Sequence, residues 1–182
     1  NGYAPFWQQA VVTAALMGEL ARLMPAKERP NTGTAYLCGL LHNFGYLVLA
    51  HVFPPHFKLM CRYIEANQHL DSAYIEHFLL GITREQVGSQ LMSVWNMPEE
   101  VIIAMRHQKN STFEGDNADY ASLLNLTQHL LADAGIFTGS IEPLEEGIYE
   151  RLNISKENAT AAIERLLESQ EDVASVASVM GR

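Results

Sequence analysis

The run Cys38-Gly39-Leu40-Leu41-His42-Asn43-Phe44-Gly45-Tyr46-Leu47-Val48-Leu49 constrains the fold more than any other part of the sequence. It sets a polar pair, His42 and Asn43, inside the most apolar stretch of the chain, with Gly39 three residues before His42 and Gly45 three after. A glycine costs a helix about 1 kcal/mol relative to alanine, so two of them in such a run point to another backbone packing closely there. A buried imidazole and a buried carboxamide both need hydrogen-bond partners, because an unpaired buried polar group costs about 1–3 kcal/mol. Leu37, Leu40, Leu41, Phe44, Val48 and Val52 form an apolar stripe, and Leu47 and Leu49 cover its flanks. A helix apolar almost all round is a central one. The expectation is therefore a single central helix over about 37–52.

The same spacing of three and four recurs along most of the chain. Phe6, Ala10, Thr13, Ala14, Met17, Ala21 and Met24 outline a first helix, closed by Pro25 and the loop KERPNTG. A helix follows Pro54-Pro55, and 67–71 reads as a turn. Thr83-Arg84-Glu85-Gln86 has the form of a capping box, and Pro98 with Glu99 and Glu100 suits the start of another helix. A further apolar helix is expected from about Tyr120 to Ala132. GIFTGSIEP reads as a linker, and amphipathic helices are expected over 144–152 and 155–168, with a short continuation over 173–180. Nowhere do β-branched and polar residues alternate over five positions. The fold class is all-α: a helical core over 1–134 and an acidic C-terminal helical extension over 135–182.

Charge narrows the function. With 12 basic and 21 acidic residues the formal net charge is −9, which disfavours a nucleic-acid partner because phosphate binding needs a basic face. The acidity lies downstream: Ser140 to Asp172 holds nine acids and three bases, a net of −6, which reads first as a solvated helical face and otherwise as a docking surface for a basic partner; the helices over 144–152 and 155–168 are the candidate contact face. Cys38 and Cys61 both lie in apolar surroundings, so reduced, buried thiols are expected rather than a disulfide. No run of 18 consecutive apolar residues occurs, so no membrane span is expected. The opening NGYAPFWQQ lacks a basic stretch followed by an apolar run, so no signal peptide is visible. It also lacks an initiator Met, so the chain reads as a processed or truncated piece. No P-loop, GxGxxG or GxSxG motif occurs, and Glu76-His77 is not part of an HExxH motif.

GLLHNFG resembles the GLLHDIG block of the HD superfamily, and its surroundings resemble the HD-related output domain, HDOD. Phe6-Trp7 is similar to the aromatic pair that opens the family's first metal-motif helix. Gly81, Val87-Gly88, Trp95 and Pro98 resemble its G…VG…W.LP segment, and Ala104-Met105-Arg106-His107 its AI..HH stretch. The resemblance covers Phe6 to about Leu131. It implies an HD-like helical bundle and a further helical subdomain ahead of the Phe6-Trp7 helix, one that this sequence does not include. In catalytic HD enzymes it implies a His, a His-Asp pair and a later Asp holding one or two divalent metals. Histidine nitrogens and carboxylates suit such ions, and the metal activates a water against a phosphoester.

This sequence departs from that pattern at one position after another. Gln9 stands at the first His, Asn43 replaces the Asp after His42, and Arg84 falls at a His of the next helix. Arg106 replaces the first His of the AI..HH stretch, leaving His107, and Gln128 falls near the late Asp. These seven positions offer a dication no anionic ligand, and two arginines would repel it by about 4 kcal/mol per unit-charge pair at 4 Å and an effective dielectric of 20. No catalytic residue, bound metal or cofactor is expected. The function expected is a non-catalytic signalling or regulatory domain in a bacterial cytoplasm. It would act through contacts with other signalling proteins or an adjacent domain, without nucleic acid or membrane, and self-association into a homo-oligomer stays open. The alternatives are a metal-dependent HD-type phosphohydrolase acting on nucleotides or cyclic dinucleotides, and an anion or nucleotide sensor built on Arg84 and Arg106.

Overall fold

The computed structural model describes residues 4–136 and 143–180, and no strand occurs among them. The helices are α1 (Ala4–Leu23), α2 (Thr32–Leu41), α3 (Phe44–Val52), α4 (Pro54–Ala66), α5 (Ser72–Leu80), α6 (Arg84–Val94), α7 (Glu99–His107), α8 (Ala118–Asp133), α9 (Ile148–Arg151) and α10 (Lys156–Met180). The chain is all-α, as its periodicity implies.

Local chemistry sets the helix ends. Asn31 caps α2 by accepting from the Thr34 amide at 2.9 Å, and Asp71 caps α5 through the Ala73 amide at 3.1 Å. The box at the start of α6 is complete: Thr83 Oγ1 accepts from the Gln86 amide, and Gln86 Oε1 accepts from the Thr83 amide. Gly81, in the left-handed region at φ 71°, ends α5, where a side chain would be strained. The prolines after Phe53 open α4 from its first turn, where a missing amide hydrogen does no harm.

The single helix expected over 37–52 is two helices, broken at His42-Asn43. The break has an identifiable cause. His42 Nδ1 lies 2.6 Å from the Gly39 carbonyl, and the His42 carbonyl accepts from Gln108 Nε2 at 3.1 Å. Side chains thus occupy two carbonyls of the helical ladder, and the Tyr46 amide turns to the Asn43 carbonyl at 3.0 Å instead. By length and composition Thr32–Val52 could cross a membrane, with a mean hydropathy of 1.3. In the fold that segment is bent at the pair, with α2 packed on α1 and α7 and α3 packed on α6.

The central helix is α8, not the segment around His42. Every residue from Tyr120 to Gln128 is buried, whereas α3 buries only Gly45 and Leu49. Four of the nine are polar, which is why the apolar pattern understated the burial of α8. The main core gathers Leu16, Leu20, Met92, Met105, Leu123 and Leu126 with Ile148, Leu152, Ile154, Ala159 and Ile163. Apolar side chains from beyond residue 135 therefore complete the same core as α1 and α8. The division expected at 134/135 does not coincide with a break in packing. Residues 137–142 of the expected linker lie outside the described residues. Only Ile148–Arg151 of the expected helix over 144–152 is helical, while α10 runs through the expected end at 168 to Met180.

Candidate functional site

The two glycines flanking the His-Asn pair mark where backbones meet. A methyl on Gly39 would lie 2.6 Å from Ala14 Cα, and one on Gly45 would lie 1.9 Å from the Arg84 carbonyl oxygen. These crossings press α2 against α1 and α3 against the start of α6. They bring Gln9, His42, Asn43 and the first turn of α6 to one side of the bundle.

The amides of this region are hydrogen-bonded to one another. Asn43 Nδ2 donates to Gln9 Oε1 at 3.4 Å. Gln108, 3% exposed, is the hub of a second group. Its Nε2 donates to the His42 carbonyl and to the Met105 carbonyl at 3.0 Å, and its Oε1 accepts from Gln128 Nε2 at 2.6 Å. Its own carbonyl accepts from Asn125 Nδ2 at 2.9 Å. This network ties α2, α7 and α8 together without a formal charge.

Two carboxylates, Glu76 and Glu85, are buried near the same region, and each has a cation. Glu76, at 0% exposure, accepts from the Arg84 amide at 2.8 Å and pairs with the Arg84 guanidinium. That guanidinium also lies over the Tyr46 ring, 4.8 Å from its centroid. Burial alone would depress the Arg84 pKa, but the charge and hydrogen bond of Glu76 outweigh it and the net shift is upward. Glu85 lies 3.3 Å from Lys109 Nζ, which also donates to Ser72 Oγ at 2.8 Å.

His42 is held neutral. Burial, the largest cause, lowers its pKa to about 4; the Gly39 carbonyl opposes that shift, Arg84 reinforces it and Glu85 opposes it. Arg106 is exposed, and His107 stacks on the Phe113 ring at 3.8 Å. Both line an open cleft of about 540 Å³ with Asp71, Thr83, Glu85 and Lys109. Burial and then Arg106 lower the His107 pKa.

The seven positions are thus divided. Gln9 meets Asn43, Gln128 joins the Gln108 hub, Arg84 is taken up by Glu76, and Arg106 and His107 face the cleft. Sequence reasoning missed Gln108, Asn125, Glu76 and Glu85. A signal existed for two of them: Val101, Ala104, Met105 and Gln108 keep a spacing of three and four, so Gln108 points inward rather than His107. Glu85, Gly88, Ser89 and Met92 do the same on α6.

A divalent metal of the HD type does not fit this donor set. Gln9, Asn43 and Gln128 bring no negative charge to offset a dication, and both buried carboxylates are matched by Arg84 and Lys109. Among the described residues no group of three His, Cys, Asp or Glu side chains is placed to hold a metal ion.

Residues 2–111 match the sequence model of the HDOD domain. The chain belongs to the HDOD family. It superposes over its whole length, at 46% identity and a TM-score of 0.87, on a candidate signal transduction protein from Marinobacter aquaeolei VT8. The HDOD chain spans only 40% of that protein's length. The response regulator MmoQ from Methylococcus capsulatus matches at 21% identity and a TM-score of 0.67, over 90% of this chain and 62% of that one. A candidate phosphohydrolase from Shewanella amazonensis SB2B matches at 18% identity and 0.66, over 91% of this chain and 65% of that one. The last two likenesses concern the fold alone. In broad terms the family and the Marinobacter match support a signalling or regulatory domain related to the HD superfamily.

Proposed function

We propose that this HDOD chain is a non-catalytic regulatory module that acts through protein–protein contact. The observation that carries the reading is the fate of the metal-ligand positions. Gln9 and Asn43 bond to each other, Gln128 bonds to Gln108, and the half-buried guanidinium of Arg84 is neutralised by Glu76. A hydrolase needs open coordination positions and a ligated water; here the polar groups cross-brace helices instead.

The anion-sensor reading loses its main residue for the same reason. An incoming phosphate would have to displace a fully buried carboxylate from Arg84, and removing one partner of a buried pair costs about 3–5 kcal/mol. The surfaces left for contact are the acidic outer side of α9 and α10, where Glu150, Glu157, Glu164 and Glu168 are exposed, with Glu146 just ahead of α9, and the exposed aromatic side chains of α4 and α5. Partners of such a module are other signalling proteins or a neighbouring domain in the cytoplasm.

Titration of purified protein with Mn²⁺, Mg²⁺ and Zn²⁺ tests the reading, followed by thermal melts and by assays on phosphoesters and cyclic dinucleotides. The expected results are no saturable metal binding and no turnover. One equivalent of metal bound with loss of binding in His42→Ala, or turnover that follows metal occupancy, would refute it.

A further inference from the structure

Residues 54–80 form a helical hairpin, α4 and α5 joined by the turn 67–71, that stands apart from the main core. Among the described residues, no side chain of the contiguous core comes from this hairpin. Helix α4 packs chiefly on α3 and α5, and α5 chiefly on α4. The buried apolar side chains of the hairpin are Met60 and Ile75. Its outer faces carry Leu59 and Tyr63 on α4 and Tyr74 and Phe78 on α5, each pair four residues apart, with Tyr74 64% and Phe78 72% exposed.

The hairpin is tied to the body by the Phe57 ring of α4, packed edge-on at 4.6 Å against the Tyr46 ring of α3, and by a set of polar contacts. Glu76 of α5 is held by Arg84 through both its backbone amide and its guanidinium. The same guanidinium covers Tyr46, whose hydroxyl lies 3.4 Å from Cys61 Sγ of α4. Ser72, at the start of α5, accepts from Lys109. One cation therefore engages a group of the hairpin directly and another through a single ring. The ends of the unit are non-helical and able to turn: Phe53 at φ −126° and ψ 56°, and Gly81 at φ 71°.

We infer that the α4–α5 hairpin opens from the rest of the molecule as a unit, hinged at Phe53 and Gly81, and that the Glu76–Arg84 pair is its latch. Units with few buried apolar contacts open at lower free energy than the core they rest on. Apolar burial alone holds this one weakly. A buried carboxylate is another matter, because it stays in place only while its cation is beside it. Closed and open hairpins give the fold two discrete arrangements, and anything that prefers one of them shifts the population. This inference does not depend on the regulatory reading: an enzyme built on the same chain would carry the same latch.

Hydrogen exchange read by mass spectrometry on the full chain, in urea below the global unfolding midpoint, tests it. In the wild type, peptides from 54–80 are expected to exchange on the order of 100-fold faster than peptides from α1 and α8. Glu76→Gln and Arg84→Met are each expected to accelerate exchange across 54–80 by a further 10- to 100-fold or so, with α1 and α8 unchanged. Arg84→Lys, which keeps the charge but loses the fork, should fall between them and the wild type. Equal protection of the hairpin and α1 in the wild type overturns the inference, and that comparison decides the matter if the variants do not fold. Acceleration of all helices together, or variants that leave 54–80 unchanged, overturns the latch.

Discussion

Gly45→Ala should be among the most damaging single substitutions in this protein, although it adds one methyl group. Gly45 sits where α3 crosses α6, and its missing Cβ would lie 1.9 Å from the Arg84 carbonyl oxygen, 2.9 Å from the Arg84 carbonyl carbon and 2.9 Å from the Gly88 nitrogen. A carbon-to-oxygen contact relaxes near 3.3 Å, so the two backbones would have to separate by about 1.4 Å. No rotamer can absorb this, because every clashing atom belongs to the main chain. Overpacking of a fitted contact costs about 1–3 kcal/mol and sometimes more, while alanine's better helix propensity returns up to about 1 kcal/mol. A backbone-to-backbone clash of this depth belongs at the upper end, so a net loss of about 2–3 kcal/mol is expected. Gly18→Ala is the control. Gly18 lies within α1 with nothing within 4 Å of the added methyl, and should gain about 0.5–1 kcal/mol from propensity alone. Urea unfolding followed by circular dichroism measures both. If Gly45→Ala fell within about 0.5 kcal/mol of the wild type, the close α3–α6 crossing would be wrong, and with it the placement of Arg84 beside the His-Asn turn.

His42 should make stability depend on pH. Its pKa falls from 6.5 in the unfolded chain to about 4 in the fold, so between those values the unfolded state binds more protons. Stability is then full above pH 6.5 and falls by about 3 kcal/mol as the pH drops to 4; His42→Asn should flatten that slope in urea melts run across this range. Cys38 is buried and its thiol is pushed up to about 12, by burial first and Glu100 second. It should therefore resist a thiol reagent at pH 8 until urea unfolds the chain, and rapid labelling of both cysteines in the native state would contradict its placement. Gln108→Ala removes the hub of the amide network and strands the Gln128 amide and the His42 carbonyl, while Asn125 keeps its bond to the backbone carbonyl of residue 108; the expected loss is about 2–3 kcal/mol by the same melts. Thr83→Ala should cost about 1 kcal/mol, the usual worth of a cap, and Thr83→Ser should recover most of it.

Much of the fold was legible where short-range chemistry acts alone. The α1 stripe, the turn at 67–71, the box at Thr83 and the helix containing Tyr120 need only spacing and capping, and each appears close to its expected place. The HDOD resemblance rested on the same kind of local signal, and the match over residues 2–111 bears it out. The candidate site was harder to read. Gln9 and Asn43, both marked by the motif, do meet, but nothing in the sequence ties Arg84 to Glu76, eight positions earlier in another helix, so from the sequence alone its guanidinium reads as a recognition group. The inward side of α7 follows from its spacing, which picks Gln108 over His107, one residue beyond the motif.

Spacing along one chain says which side of a helix is apolar, because the helix repeats every 3.6 residues whatever surrounds it. That is why an all-α protein, its caps and its acidic end could be read from composition and order. It cannot say which neighbour supplies a partner to a buried polar group, since that partner arrives from far along the chain. The break at His42-Asn43 depends on Gln108, the burial of polar α8 on the helices around it, and the inclusion of Ile148 and Ile163 in the core on a fold that brings both ends of the chain together. Two carboxylates that would have looked like ligands became parts of ion pairs only when α5, α6 and the end of α7 met. Three-dimensional proximity made braces between helices of Gln9, Asn43 and Gln128.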